Sequence, residues 1–297
     1  MQKLSCVIPA YNEEESLPHL KERLWPILDS LGAWELIIVS DGSTDATVKI
    51  VSEWAQADSR VKLVSLRRNQ GKSAALMAGF AAATGDRVVT LDADLQDDPD
   101  EVPAMLKKIE TEDLDMVGGW KQNRQDPFFK LVSSKIFNGT ANRIMGTNFH
   151  DLNCGLKAYR KEVVETLDLY GDLYRFIPLL AVAQGWRVVE MPVKHHPRQW
   201  GISKYGLRLN GLFDLISLLI VAKYRWKPLH FFGRWGLGLL AVGGLMLAWL
   251  IIEKISGEAI GDRPLLIFAV LFVMSGLQLL FTGLLADLFL AATSRKK

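Results

Sequence analysis

The sequence predicts an α/β domain, a parallel sheet covered by helices, followed by two membrane-spanning helices. Three observations carry this. Short apolar runs alternate with helical segments from Leu4 to about Gly119. Polar turns follow one strand after another on the same side. From about Gly233 onward the chain is nearly all apolar.

The strand-like runs are Leu4–Ile8, Leu36–Val39, Val61–Leu66, Arg87–Leu91 and Asp115–Val117, with helical segments at Glu13–Leu31, Asp45–Ala57, Gly71–Ala83 and Pro99–Glu110. Strands buried on both faces read as continuous apolar runs, and their alternation with helices indicates a parallel sheet. A further strand-like run is Gly185–Pro192. Ligands of such sheets bind beyond the carboxyl ends of the strands. Those ends carry Pro9-Ala10-Tyr11-Asn12-Glu13-Glu14, Ser40-Asp41-Gly42-Ser43-Thr44-Asp45, Arg67-Arg68-Asn69-Gln70-Gly71-Lys72 and Asp92-Ala93-Asp94-Leu95-Gln96. One polar turn means little; four in succession at one sheet edge describe an active site.

Asp92-x-Asp94 is the central feature. Two carboxylates one residue apart at a strand end can share a hard divalent cation, which would bridge the phosphates of a nucleoside diphosphate. The competing reading is an acidic helix start. Asp97, Asp98, Asp100 and Glu101 fit that description better, with Pro99 opening the helix, so Asp92 and Asp94 are assigned to a metal and Gln96 to its periphery.

Gln122–Gly146 interleaves Arg124, Lys130, Lys135 and Arg143 with Phe128, Phe129, Leu131, Ile136, Phe137 and Ile144. It reads as a surface helix or as a helix near an anionic membrane surface. Trp235–Ile252 is uncharged, as is Leu265–Ala286 before Asp287; each approaches the roughly 20 residues that span a bilayer. Lys223, Arg225, Lys227 and Arg234 precede the first stretch, and Arg295, Lys296 and Lys297 follow the second. The positive-inside rule then places both termini and the large domain in the cytoplasm. Cys6 and Cys154 are the two cysteines and lack a CxxC spacing, which fits a reducing compartment and argues against a disulfide framework or zinc site. Met1-Gln2-Lys3 leads straight into a strand without the apolar core of a signal peptide. A net charge of +2 argues against an overall polyanion-binding surface, so no nucleic-acid partner is expected.

The runs VIPAYNEEESL, VSDGSTDAT, RNQGKSAALMAGF, LDADLQDDP, DLNCGLKAYR and RQWGISKYG resemble family 2 glycosyltransferases of the GT-A fold. The similarity is strongest to the polyprenyl-phosphate type, the group of dolichol-phosphate mannose synthase and bacterial undecaprenyl-phosphate sugar transferases, and it extends over nearly the whole chain. It implies a Rossmann-like mixed sheet flanked by helices, then interfacial helices and two transmembrane helices. The corresponding segments are a catalytic domain over 1–206, a juxtamembrane segment over 207–232 and an anchor over 233–297.

It also implies roles. Pro9, Ala10, Tyr11 and Glu13 would bind the nucleoside, Asp41 the base, and Gly71 and Lys72 would lie near the nucleotide. Asp92 and Asp94 would carry Mg²⁺ or Mn²⁺, with Gln96 beside them, and Asp151 would lie near the acceptor. Arg198, Ser203 and Lys204 would contact phosphates. The last assignment has independent support: an Arg fork and a Lys point charge suit phosphate, and both precede the membrane segments, where a lipid phosphate arrives. A juxtamembrane basic patch held by anionic lipids is the compatible bland reading.

The implied reaction is inverting sugar transfer from a nucleotide-sugar, UDP-linked by preference, to a polyprenyl phosphate, undecaprenyl phosphate by preference, at a bacterial inner membrane. Since a phosphate monoester is mostly deprotonated at neutral pH, Asp151 is expected to orient the acceptor or finish its deprotonation rather than carry the barrier. Two alternatives fit less well. A processive polysaccharide synthase would need more spans than two, and a non-catalytic scaffold would not need its carboxylates. Gly71-Lys72-Ser73 fails as a phosphate loop because Leu66 stands where the earlier glycine belongs. Gly236-x-Gly238-x-x-Ala241 lies within an apolar stretch and reads as helix packing. His195-His196 lacks a third metal ligand nearby and reads as a structural or surface pair, Asn138-Gly139-Thr140 fits a glycosylation site but falls on the expected cytoplasmic side, and Asp287 is expected at the membrane interface. Gly244 and Ala248 could pack helices within a protomer or between protomers of a homo-oligomer.

Overall fold

A computed structural model describes residues 3–121, 138–197, 218, 224 and 227–294. The chain forms two compact units, Met1–Leu218 and Leu219–Lys297.

The first unit opens with β1 (Leu4–Ala10), α1 (Leu17–Ser30), β2 (Trp34–Ser40), α2 (Thr47–Ala57), β3 (Val61–Ser65), α3 (Lys72–Ala82) and β4 (Arg87–Thr90). A 3₁₀ turn at Pro99–Glu101 leads into α4 (Val102–Thr111), then β5 (Met116–Lys121). Residues 138–145 form a helix, α5. β6 (Lys157–Arg160), α6 (Lys161–Thr166), a 3₁₀ turn at Leu173–Phe176, α7 (Ile177–Ala183) and β7 (Val188–Val193) complete the unit.

The strands join in one seven-stranded sheet of order β3-β2-β1-β4-β6-β5-β7. β1, β2, β3 and β4 are parallel, as the apolar runs predict. β6 is antiparallel to both β4 and β5, so the sheet is mixed, as the family resemblance implies. The apolar pattern alone missed β6: four residues reading Lys-Ala-Tyr-Arg give neither a continuous apolar run nor a clean alternation. α6, α7 and the short 3₁₀ turns were missed as well.

The core lies between α1, α4 and the central strands, where Leu17, Leu20, Leu24 and Leu28 meet Cys6, Ile8, Leu36 and Ile38, all buried. On the other face α3 approaches β1 closely: a Cβ on Gly79 would lie 2.3 Å from Val7 Cγ1, so only glycine fits. At the edge where β1 and β2 begin, buried Glu35 accepts hydrogen bonds from Ser5 Oγ (2.6 Å), Thr84 N (2.7 Å), Lys62 Nζ (2.8 Å) and Lys3 Nζ (2.9 Å). Burial works against the charge, but these donors prevail and hold the carboxyl well below its usual range. That edge is fully committed to structure, which leaves the opposite edge for chemistry.

The second unit contains α8 (Pro228–Ile255) and α9 (Pro264–Ser294), packed on each other. Both are long and apolar enough to cross a membrane. Most of their large apolar side chains face outward, Trp235, Leu245, Trp249, Met274 and Phe289 among them. The helices touch through small residues: a Cβ on Gly276 would lie 2.8 Å from the Gly236 carbonyl oxygen, which agrees with the helix-packing reading of that glycine pattern. Asp287 accepts a hydrogen bond from Leu229 N in the first turn of α8 (3.3 Å). It therefore satisfies one of the open amides of a helix start.

Glu35→Gln should remove an acid-sensitive part of the stability. A carboxyl with a depressed folded pKa contributes fully above its unfolded value, about 4.3, and less as pH falls through the folded value. The unfolding free-energy gap between wild type and Glu35→Gln should be constant above roughly pH 5 and shrink below it, as measured by denaturant titration across pH. A gap that widened on acidification would contradict this account.

Candidate active site

The carboxyl ends of the parallel strands are joined by hydrogen bonds between their loops. The loop after β1 meets the loop after β2: Asn12 N donates to Ser43 Oγ (3.1 Å), Thr44 N to Asn12 Oδ1 (2.8 Å) and Glu13 N to Thr47 Oγ1 (2.8 Å). Asp41, at the end of β2, accepts from Gln70 N (2.7 Å) and Gly71 N (2.8 Å), which fixes the start of α3. Lys72, in the first turn of α3, then pairs with Asp92 Oδ1 at 2.5 Å. Each loop is set by a side chain of its neighbour, because loop amides cut off from water need partners.

These loops enclose a cavity of about 270 Å³. Its walls include Pro9, Ala10, Tyr11, Glu13, Asp41, Gly71, Lys72, Asp92 and Asp94, each singled out in the sequence as a nucleotide or metal residue. Asn69, Ala75, Ala93, Asp172 and Tyr174 also line it. Asp172 and Tyr174 went unnoticed in the sequence. They come from the turn between α6 and α7, which folds back so that Tyr174 N donates to Ser73 Oγ (3.2 Å) and the Tyr174 ring lies 5.2 Å from the Lys72 ammonium. No motif marks that turn.

Asp94 Oδ1 accepts from Gln96 N (3.1 Å), and Leu95 between them adopts φ +56°. A buried leucine in the left-handed region is strained, and such strain persists where surrounding contacts over-determine a functional loop. Gln96 contributes its backbone here and is not among the residues lining the cavity. Two carboxylates facing a polar cavity suit Mg²⁺ or Mn²⁺, whose remaining positions are commonly filled by substrate phosphates and water. No group of three or more His, Cys, Asp or Glu side chains arranged to hold a metal ion occurs among the described residues, so any metal here would depend on oxygens from the substrate and water. Gly155 makes room beside the pair, since a Cβ there would lie 2.6 Å from Asp92 Cγ and Oδ2.

Behind the cavity sits a second charged layer. Asp97 is buried, with 1 % of its side chain exposed, and is paired with Lys121 Nζ at 3.0 Å. It also accepts from Leu156 N (3.0 Å) and lies 3.7 Å from His195 Nδ1. Burial opposes both charges of the pair. Lys121 nevertheless holds Asp97 well below the usual carboxylate range, and Asp97 raises Lys121 above the usual lysine range. This corrects the assignment of Asp97 to the acidic helix start. Asp98 alone caps the 3₁₀ turn, through Asp100 N (3.1 Å), while pairing with Arg23 (2.7 Å) and His196 Nε2 (3.0 Å). Asp97 points the other way, into the sheet edge, because β5 and β6 deliver a lysine and a backbone amide there. The two histidines thus serve Asp97 and Asp98, in keeping with their structural reading.

Lys157, on β6, is buried and donates to the Cys154 carbonyl oxygen. Burial pushes its pKa down, as it pushes those of the Cys6 and Cys154 thiols up. Both cysteines are free. Asp151 is buried at 4 % exposure; its Oδ1 accepts from Asn153 N (3.0 Å). Asn138 donates through Nδ2 to the His150 carbonyl (3.0 Å), so this would-be glycosylation asparagine is used inside the fold. Arg198, Ser203 and Lys204 lie outside the described residues, as do most of the basic segment at 122–146 and all but one residue of the interfacial segment 207–222.

The glycosyl transferase family 2 sequence model matches residues 5–168. A dodecaprenyl-phosphate galacturonate synthase of Rhizobium johnstonii is 40% identical over 294 residues, covering 96% of this chain and 87% of the relative. An undecaprenyl-phosphate 4-deoxy-4-formamido-L-arabinose transferase of Salmonella paratyphi B is 38% identical over 294 residues, covering 97% of this chain and 88% of the relative. Among solved structures, glucosyl-3-phosphoglycerate synthase of Mycobacterium tuberculosis with Mn²⁺ and UDP-glucose superposes with a TM-score of 0.55 at 23% identity, over 74% of this chain and 79% of that one.

Asp97→Asn should cost about 3–5 kcal/mol by stranding the buried Lys121 charge. Thermal unfolding should fall by roughly 10 °C or more for a domain of this size. Asp97→Asn/Lys121→Met should recover much of the loss, since two neutral groups replace an ion pair. Equal losses in the single and double variants would show that the Lys121 pairing is not what Asp97 supplies.

Proposed function

The chain belongs to glycosyl transferase family 2, and we propose that it transfers a sugar from a UDP-sugar to a polyprenyl phosphate, undecaprenyl phosphate by preference, at a membrane surface. The observation that carries this reading is the extent of the likeness: relatives named as polyprenyl-phosphate sugar transferases match from the cavity loops through both apolar helices. The structural neighbour supports the fold; its Mn²⁺ and UDP-glucose belong to that protein. A scaffold without activity fits poorly with a cavity that keeps Asp92, Asp94, Asp41 and Lys72 together.

In this reading residues 1–206 carry catalysis, 207–232 lie along the membrane and 233–297 anchor the protein as two spans. The flanking basic residues put both termini and the catalytic domain on the cytoplasmic side of a bacterial inner membrane. Pro9, Ala10, Tyr11, Glu13 and Asp41 hold the nucleoside. Asp92 and Asp94 hold Mg²⁺ or Mn²⁺, with Gln96 fixing Asp94 through its backbone. When bound, the divalent ion supplies positive charge to the departing diphosphate. Lys72 contributes a second cation at the same place, and its ion pair with Asp92 keeps it there before the donor arrives. Arg198, Ser203 and Lys204 receive the acceptor phosphate.

A phosphate oxygen of the lipid attacks the anomeric carbon as the bond from that carbon to the nucleoside diphosphate oxygen breaks, giving the inverted sugar–phosphate–lipid and free nucleoside diphosphate. Asp151 orients the attacking phosphate or takes its last proton. That assistance matters less as pH rises above the phosphate's second pKa, near 6.

Transfer should be measured in liposomes with undecaprenyl phosphate, Mg²⁺ or Mn²⁺ and labelled UDP- and GDP-sugars, including uronic acid and 4-formamido-pentose donors. Label should enter the lipid phase with one UDP-sugar and be lost with chelator or Asp94→Ala. If a folded, nucleotide-binding chain transferred nothing across a wide panel of donors and acceptors, the scaffold reading would replace this one. Asp151→Asn should slow turnover by roughly tenfold at neutral pH with donor binding intact, and by less at pH 8 than at pH 6. Complete loss at every pH would assign Asp151 the barrier itself.

A further inference from the structure

Asp151 sits in a loop between α5 and β6, yet its position is set from the far edge of the sheet. Glu190, on the edge strand β7, directs both carboxylate oxygens at the backbone preceding the Asp151 side chain. Its Oε1 accepts from Asp151 N at 2.8 Å, and its Oε2 accepts from His150 N at 2.7 Å. Oε2 also lies 3.0 Å from His150 Nδ1. The carboxylate is one tenth exposed.

The imidazole of His150 stacks on Trp120 with ring centroids 4.0 Å apart and planes 16° from parallel. Trp120 belongs to β5, which pairs in parallel with β7 and sets Gly118 opposite Glu190. Residues 118 and 120 share a face, so the stack and the carboxylate grip His150 from the same side of the sheet. Two consecutive amides and one ring are therefore held by a rigid pair of strands. The Asp151 carboxylate that results is buried, with Oδ1 committed to Asn153 N and Oδ2 without a hydrogen-bond partner among the described residues.

A strand could satisfy two loop amides with its own carbonyls. Using a carboxylate instead makes charge-assisted bonds that fix both amides at once, and with them the direction of the Asp151 Cα–Cβ bond. From this geometry we infer that Glu190 is a positioning residue: it aims the free oxygen of Asp151 at the acceptor phosphate and does not itself touch substrate. The inference rests on the transfer reaction proposed above and on the acceptor-side role of Asp151 within it.

The test is a double-mutant cycle on the full chain in liposomes, with steady-state transfer and nucleotide binding read side by side. Glu190→Ala should lower kcat by roughly tenfold, as displacing a reacting group by a fraction of an ångström does, while donor KM and nucleotide affinity stay within about twofold. Glu190→Gln keeps one acceptor oxygen and should fall between wild type and Glu190→Ala. Because Glu190 acts through Asp151, Glu190→Ala/Asp151→Asn should be no slower than Asp151→Asn alone, within about twofold. Independent, multiplying losses in the double variant would overturn the inference. So would a Glu190→Ala chain whose nucleotide affinity collapsed together with its turnover, since that is the mark of a brace for the whole fold. Wild-type protein that transferred nothing would overturn the reaction itself, and this inference with it, and is told apart by the control lane.

Discussion

One buried carboxylate ties the catalytic end of this sheet together. Asp97 takes a lysine from the end of β5, a backbone amide from the start of β6 and the proximity of a histidine just after β7. Isolated, such a charge would be expelled or neutralised. Paired, it forces three elements distant in sequence to converge behind Asp92 and Asp94. The antiparallel strand β6 is held in two ways: Ala158 and Tyr159 are fully buried, and the Leu156 amide just before the strand donates to Asp97.

The cavity is built on the same logic at lower burial. Asp41 holds the turn before α3, and Lys72 from that helix holds Asp92. In each case a side chain at one strand end satisfies the loop of the next. The floor of the site is therefore set before any ligand arrives, which favours a reaction whose main demands are alignment and charge neutralisation. The strained Leu95 and the side-chain-free approach at Gly155 fit that view. Both put the carboxylate pair where ordinary loop geometry would not.

What could be read from the sequence divides along physical lines. The four parallel strands were legible because burial on both faces writes itself as apolar runs, and nine of the cavity residues were legible because they close those runs in polar turns. β6 was not, since antiparallel insertion between two strands leaves no periodic trace in Lys-Ala-Tyr-Arg. Asp97 and Asp98 are adjacent carboxylates in an acidic run, and nothing local separates them. The contrast between a buried ion pair and a helix cap comes from which residues lie opposite. Asp172 and Tyr174 were missed for the same reason: their role depends on a turn folding back onto α3. Arg198, Ser203 and Lys204 lie outside the described residues and rest on the motif alone.

The residue proposed for the acceptor side differs from those proposed for the donor side in how it is held. The proposed donor residues sit on loops fixed by their immediate neighbours in the parallel sheet. Asp151 instead hangs from Glu190 on the edge strand, while the adjoining Cys154–Leu156 segment runs beside both Asp92 and Asp97. Asp92, one of the proposed metal ligands, and Asp151, the proposed acceptor residue, are thus linked through the short segment that holds Gly155 and Leu156. A carboxylate proposed to meet an incoming phosphate keeps more of its oxygens for that contact when it is anchored through its backbone, and Asp151 spends only Oδ1, on Asn153 N. Anchoring the backbone of Asp151 leaves its buried Oδ2 without a hydrogen-bond partner among the described residues, which fits the acceptor role proposed for it, and the grip falls on the amides of His150 and Asp151 and on a stacked ring beside them.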